Sequence, residues 1–229
     1  MTNSFLLPLL QLTDPALPVG GFAHSSGLET YVQKGIVHDA ATARAFVVGM
    51  LSQNLHYTDA AFVSLAYEAA AQNDWERLLQ LDEECTALKL PREMRQASQK
   101  LGMRLVKVFR ELCPFALAEE YVGAIRAQRA SGHYCIVFGL YAFALGIPKQ
   151  EALAGFYYNA ASGMVTNSVK LVPLGQQQGQ ELLFALQPLI VRLAAASMNP
   201  DPDTIGLCCT GFDIRCMQHE QLYSRLYMS

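Results

Sequence analysis

Charge is scarce in this sequence. Only 16% of its 229 residues are Asp, Glu, Lys or Arg, against 52% hydrophobic ones. That balance excludes disorder as the general state. It also implies that some apolar surface is covered by a partner or by a second copy of the chain. The net charge is −3, so no basic field exists to draw in nucleic acid or anionic lipid. No apolar run reaches the roughly 20 residues that a membrane-spanning helix needs; the longest covers 135–147. The first residues lack a basic stretch and a small-residue cleavage site, so no secretion signal is read there. The expectation is a cytoplasmic protein with neither nucleic-acid nor membrane partners.

Catalytic signatures are missing too. Nothing matches G-x-x-x-x-G-K-[ST], and Gly20-Gly21 has no lysine placed to reach a phosphate. His219-Glu220 begins like a zinc-protease motif, but Tyr223 stands where the second histidine belongs. His24 and Ser25 are adjacent on a turn, which does not give nucleophile–base geometry. The six cysteines do not form a disulfide framework in a chain this long, and in a reducing compartment they read as free thiols. Cys216 and His219 are spaced i,i+3 and would suit Ni²⁺ or Zn²⁺, but no Cys-x-x-Cys accompanies them. The sequence therefore favours small buried residues over a metal site, and no cofactor of the chain's own is expected. His24 and His133 sit beside turn glycines, where bonding to local backbone is the better reading than ligation.

Strand-like alternation never persists, and there is no repeat, so the expected fold is all-α, a single-domain bundle of roughly nine or ten helices. Asp39 is placed to cap a helix over 40–53, followed by 55–71 and a helix opened by Asn73-Asp74. Pro91 opens 92–112, whose basic residues read as a solvated face, with an acidic protein partner as the second option. Residues 133–145 are apolar all round and predict the central buried helix. Pro148 opens the next helix, and 176–196 follows with a bend expected at Pro188. The organisation read from this is a core over 1–198 with an N-terminal arm, and an appended segment over 199–229.

Two stretches carry the functional expectation. Between Thr13 and Tyr31, Pro18, Gly20 and Gly21 force sharp turns, while Val19, Phe22 and Ala23 are apolar enough to be buried. Such a loop, with His24 and Ser25 at its end, is held by packing and fixes how later helices meet. At the other end, proline and aspartate over 199–203 forbid regular structure and form a tether. Beyond it Phe212, Cys216, Leu222, Tyr223, Leu226 and Tyr227 share one helical stripe, with Arg215 and His219 inside it. An aromatic stripe on a tether is the pattern of an element that orders on a partner, although an ordinary last helix has the same stripe.

These same stretches carry a resemblance. Asp14, Pro18, Gly20, Phe22, His24-Ser25, Gly27-Leu28-Glu29 and Tyr31 resemble the N-terminal signature of the urease accessory protein UreF family. His219-Glu220-Gln221-Leu222-Tyr223-Ser224-Arg225-Leu226 resembles its C-terminal signature, and stretches at 132–139 and 170–180 agree. The resemblance implies an all-α homodimer that bridges the accessory protein UreD (UreH in some species) and the GTPase UreG. It implies that this assembly loads nickel into the urease apoprotein, with nickel and GTP handled by the partner complex. It also implies that the N-terminal arm and C-terminal tail engage UreD or UreH, with Tyr31 and Arg225 at positions tied to assembly. The expected partner-binding set is Tyr31, Phe212, Arg215, His219, Glu220, Tyr223, Ser224, Arg225 and Leu226. The competing class is a small all-α enzyme or cofactor-binding protein whose pocket is lined by Tyr157, Tyr158 and His133.

Overall fold

The computed structural model describes residues 4–21, 24–25, 27–207, 209–223 and 225–227. Phe22 and Ser224, both singled out above, lie outside the described residues, as do Ala23, Ser26 and Cys208. The described residues form eleven α-helices and no strand. In chain order these are α1 (Leu6–Leu12), α2 (Leu28–Gln33), α3 (Ala40–Gly49), α4 (Asp59–Gln72), α5 (Trp75–Leu88) and α6 (Arg92–Leu112). They continue with α7 (Ala116–Arg126), α8 (Tyr134–Ala144), α9 (Lys149–Leu171), α10 (Gln176–Ala196) and α11 (Thr210–His219).

The apolar helix α8 is the axis of the bundle. Every residue from 135 to 142 is buried, so no face of it is left for solvent. Helix α4 packs closest to it, at a glycine. A Cβ built on Gly139 would lie 2.5 Å from the Val63 carbonyl oxygen and 3.1 Å from the Tyr67 nitrogen. Gly102 does the same for α6, where a Cβ would run into the Gly132 carbonyl. Close packing of this kind leaves no room for one added methyl.

The ends of α8 are fixed by polar groups. Asp82 on α5 is 2% exposed and accepts from the Tyr121 hydroxyl of α7 and from the backbone of Ser131 (2.5 Å) and Gly132 (3.0 Å). A buried carboxylate needs such donors, and here they join two helices to the turn that starts a third. His133 then reaches Ser98 Oγ at 3.1 Å and Thr86 Oγ1 at 2.8 Å.

Local rules explain most boundaries. Asp39 and Thr42 form a reciprocal capping box at the start of α3. Gly35, at φ +68°, closes α2 in a Schellman arrangement, with Gly35 N–H donating to the Val32 carbonyl and Ile36 N–H to that of Tyr31. Two expectations need correction. The helix read over 40–53 ends at Gly49 and continues as a π-helical turn, Met50–Leu55, with Met50, Leu51 and Leu55 buried. Pro188 lies inside α10. The tether holds a 3₁₀ turn, Pro202–Thr204, which Asp201 starts by accepting from Asp203 N–H, and Gly206 N–H donates to the Tyr57 carbonyl at 2.7 Å.

A candidate docking site at the C-terminal segment

Helix α11 stops at His219, and the described residues after it, 220–223 and 225–227, hold turns and bends but no further helix. The stripe expected to run on to Tyr227 is thus split into two parts with different roles. Phe212, Cys216 and His219 face inward and are buried, while Tyr223 and Leu226 are exposed at 106% and 80%. The inward part lies on α2 and α6.

Gly27 makes that approach possible. Its φ of +77° favours glycine, and a Cβ there would lie 2.9 Å from Cys216 Sγ and 3.2 Å from a Phe212 ring carbon. The neighbouring Tyr31 is half-buried and stacks a tilted ring on Phe46 at 5.1 Å. Burial, with smaller help from the Cys216 thiol, pushes its phenol above the ordinary range.

A charged clasp holds the rest. His219 is 1% exposed, with Nδ1 2.7 Å from Glu93 Oε2 and Nε2 3.2 Å from Glu29 Oε2. Both ring nitrogens therefore face carboxylate oxygens, and only an imidazolium donates from both unless a carboxyl group carries the proton instead. Glu29, itself 4% exposed, turns its other oxygen to the tail. Its Oε1 accepts from Leu226 N–H at 2.8 Å, and Oε2 from Tyr227 N–H at 3.3 Å. Arg225 Nη1 donates to Glu93 Oε1 at 2.6 Å, and Arg92 Nη2 to Glu220 at 2.8 Å. Two acidic residues from α2 and α6 thus collect one histidine, one arginine and two backbone amides from the last fifteen residues or so. Arg215 points elsewhere, to Gln218 at 2.8 Å.

Tyr31, Phe212, His219, Glu220, Arg225 and Leu226 are therefore brought together around α2 and the start of α6. Glu29 and Glu93, which make the clasp, were missing from the residue set proposed from sequence. The one signal for Glu29 was its place between Leu28 and Tyr31 in the N-terminal signature. Because His219 spends both ring nitrogens on carboxylates, Cys216 has no histidine lone pair turned toward it. No group of three or more potential ligands to a metal stands together among the described residues.

The organising loop lies on the same side of α6. Gly20 has φ +79°, and Arg104 Nη1, which donates to the Val19 carbonyl at 3.0 Å, occupies the space of its absent Cβ. Gly21 is not in the left-handed region and has open space around it, contrary to expectation. Pro18 is exposed. His24 is buried, its carbonyl accepting from Asn167 Nδ2 at 2.9 Å. Burial, then Lys100 and Arg104, hold its imidazole below the usual value. Ser25 is wholly buried, and its carbonyl accepts from Leu28 N–H at 3.2 Å.

The residues of the competing pocket do not share partners. Tyr157 binds Ser197 at 2.8 Å and His56 at 3.1 Å, His133 is taken by Ser98 and Thr86, and Tyr158 is exposed. Four basic residues of α6 are bonded within the chain: Arg92 to Glu220, Arg95 to the Lys89 carbonyl, Arg104 to Val19 and Arg110 to Glu119. No helix among the described residues is long and apolar enough to cross a membrane.

Comparison with known proteins agrees with the resemblance. The UreF family model matches residues 37–187. A urease accessory protein UreF of Actinobacillus pleuropneumoniae serotype 5b (strain L20) is 51% identical, covering 96% of this chain and 97% of its own length. The protein of the same name from Haemophilus influenzae (strain PittGG) is 47% identical over 96% of this chain and 94% of its own. One from Arthrobacter sp. (strain FB24) is 37% identical over 99% and 98%.

Proposed function

Because this chain belongs to the UreF family of urease accessory proteins, we propose that it is a urease maturation factor that acts by holding other proteins together rather than by its own chemistry. The partners proposed are a UreD/UreH-like accessory protein, a UreG-like GTPase and the urease apoprotein. Nickel is the cargo, and GTP is spent by the GTPase. The place of action is the cytoplasm, and the working form is a homodimer, in keeping with the sparse charge of the chain.

The observation that supports this reading best is the division of labour in the C-terminal segment. Its inward face is spent on α2 and α6, while Tyr223 and Leu226 stand fully in solvent beside Arg225. Ile214 and Met217 on α11 are exposed as well. Exposed aromatic and aliphatic side chains next to an arginine, on a rigid base, are what concentrates binding energy in an interface. The UreD/UreH-like protein is assigned to this surface.

The test is co-purification. A tagged chain should retain the UreD/UreH-like and UreG-like proteins together, and a Tyr223→Ala/Leu226→Ala variant should lose the first while keeping its own fold. Light scattering at micromolar concentration should give twice the chain mass. Retention of neither protein by the unaltered chain would remove the proposal.

A further inference from the structure

Apart from the docking surface, the chain buries a second reactive cluster, built on α5 and α8. Cys85 Sγ and Cys135 Sγ face each other at 3.6 Å. Both residues have no solvent exposure, yet Cys85 forms part of the wall of a cavity of about 250 Å³. That volume holds several water-sized molecules. Lys89, Asp59, Met94 and Phe212 share the wall, and the exposed Leu90 and Leu207 stand at its edge. Lys89 Nζ lies 2.8 Å from both Asp59 oxygens, one turn along α5 from Cys85. The site therefore has a pair of thiols and a fixed cation beside a cavity, and a small polar molecule reaches the fully buried Cys85 only when the cavity wall moves.

We propose that Cys85 and Cys135 are a dithiol oxidised by hydroperoxides, with Cys85 the attacking sulfur and Cys135 the resolving one. The assignment follows from placement: Cys85 and Lys89 line the same cavity, and Cys135 is not among its lining residues. The acid–base character of the two thiols agrees. The Cys135 hydrogen bond, then His133 and Lys89, pull Cys85 down against the opposing effect of burial, whereas burial pushes Cys135 up. These opposite directions favour Cys85 over Cys135 as the sulfur that gives up its proton first. Cys113 and Cys216 are pushed up by burial and lack this activation.

The chemistry balances with peroxide as the oxidant. The Cys85 thiolate attacks one peroxide oxygen, the O–O bond breaks, and the departing hydroxide leaves as water after taking a proton. Cys85 is then a sulfenic acid. Cys135 sulfur attacks the Cys85 sulfur, the S–O bond breaks, and the hydroxide leaves as a second water with the Cys135 proton. Two thiols lose two electrons, and one hydrogen peroxide becomes two waters. The product staples α5 to α8 beside the Asp82 and His133 contacts, and a small dithiol reverses it.

The full-length chain is incubated with hydrogen peroxide near neutral pH, alkylated on denaturation and mapped without reduction. The expected result is a Cys85–Cys135 linked peptide that forms before any other cysteine is modified and is lost on treatment with dithiothreitol. Its formation should be several-fold slower at pH 5.5 than at pH 7.5. In Cys135→Ser, dimedone should label Cys85. If that variant does not fold, mapping of the unaltered chain decides alone. Oxidation of Cys113, Cys209 or Cys216 while Cys85 and Cys135 remain alkylatable would overturn the proposal.

Discussion

Replacing Glu29 by alanine should loosen the C-terminal segment and cost the protein a measurable part of its stability. The carboxylate serves three donors: His219 Nε2, Leu226 N–H and Tyr227 N–H. His219 is buried and cannot reach water, so losing its acceptor costs about 1–3 kcal/mol. The two amides belong to a surface segment that can lift, so each loses only a net hydrogen bond, about 0.5–1.5 kcal/mol. The expected total is about 2–6 kcal/mol, capped by the free energy that docks the segment. Urea unfolding measures the loss, and hydrogen exchange over 220–227 shows where it arises. Glu29→Gln, which keeps the shape but brings an NH₂ group against three donors, should fall between alanine and the native residue. If Glu29→Ala unfolds within about 0.5 kcal/mol of the native chain, with tail exchange unchanged, the clasp does not hold the segment.

The remaining predictions concern the core and the loop. Gly139→Ala should destabilise by about 1–3 kcal/mol in a thermal melt, because the new methyl meets backbone of α4 that cannot move aside. Gly20→Val should cost about 1–3 kcal/mol through its positive φ and the Arg104 contact, while Gly21→Ala should cost almost nothing. His24 and His56 are held below 6.5 in the fold, chiefly by burial. The unfolded chain therefore binds protons that the fold refuses, so stability is full above pH 6.5 and is lost as pH falls below it. A urea midpoint that does not drop between pH 7.5 and 5.5, or a drop that His24→Gln/His56→Gln does not lessen, would refute this.

What the sequence disclosed was mostly local. The Asp39 cap needs only Thr42, three residues on, and Pro91 needs only its own missing N–H, so the starts of α3 and α6 could be read directly. The burial of α8 followed from a stretch with no polar face. What stayed hidden depends on distance in the chain. Asp82 looks like an ordinary polar position on α5 until a turn about fifty residues later delivers its amides. Glu29 meets Leu226 across 197 positions, and no spacing rule connects them. The C-terminal stripe misled for a related reason. Its period implied one continuous helix with one buried face, but α11 ends at His219 because the clasp pulls the following backbone toward Glu29. The same docking gives Phe212 and Cys216 a place in the core, so deleting 212–229 should cost stability rather than leave it unchanged.

Under the proposed function, the outer face of this docked segment recognises a UreD/UreH-like protein while its inner face stays on the core. Hydrogen exchange of the full-length chain, alone and saturated with that partner, tests it most directly. The account predicts added protection over 220–227 and around Tyr31, with the buried amides of α11 already slow before the partner is added. Protection confined to another apolar face, such as Phe184 and Val191 on α10, with 220–227 unchanged, would contradict it.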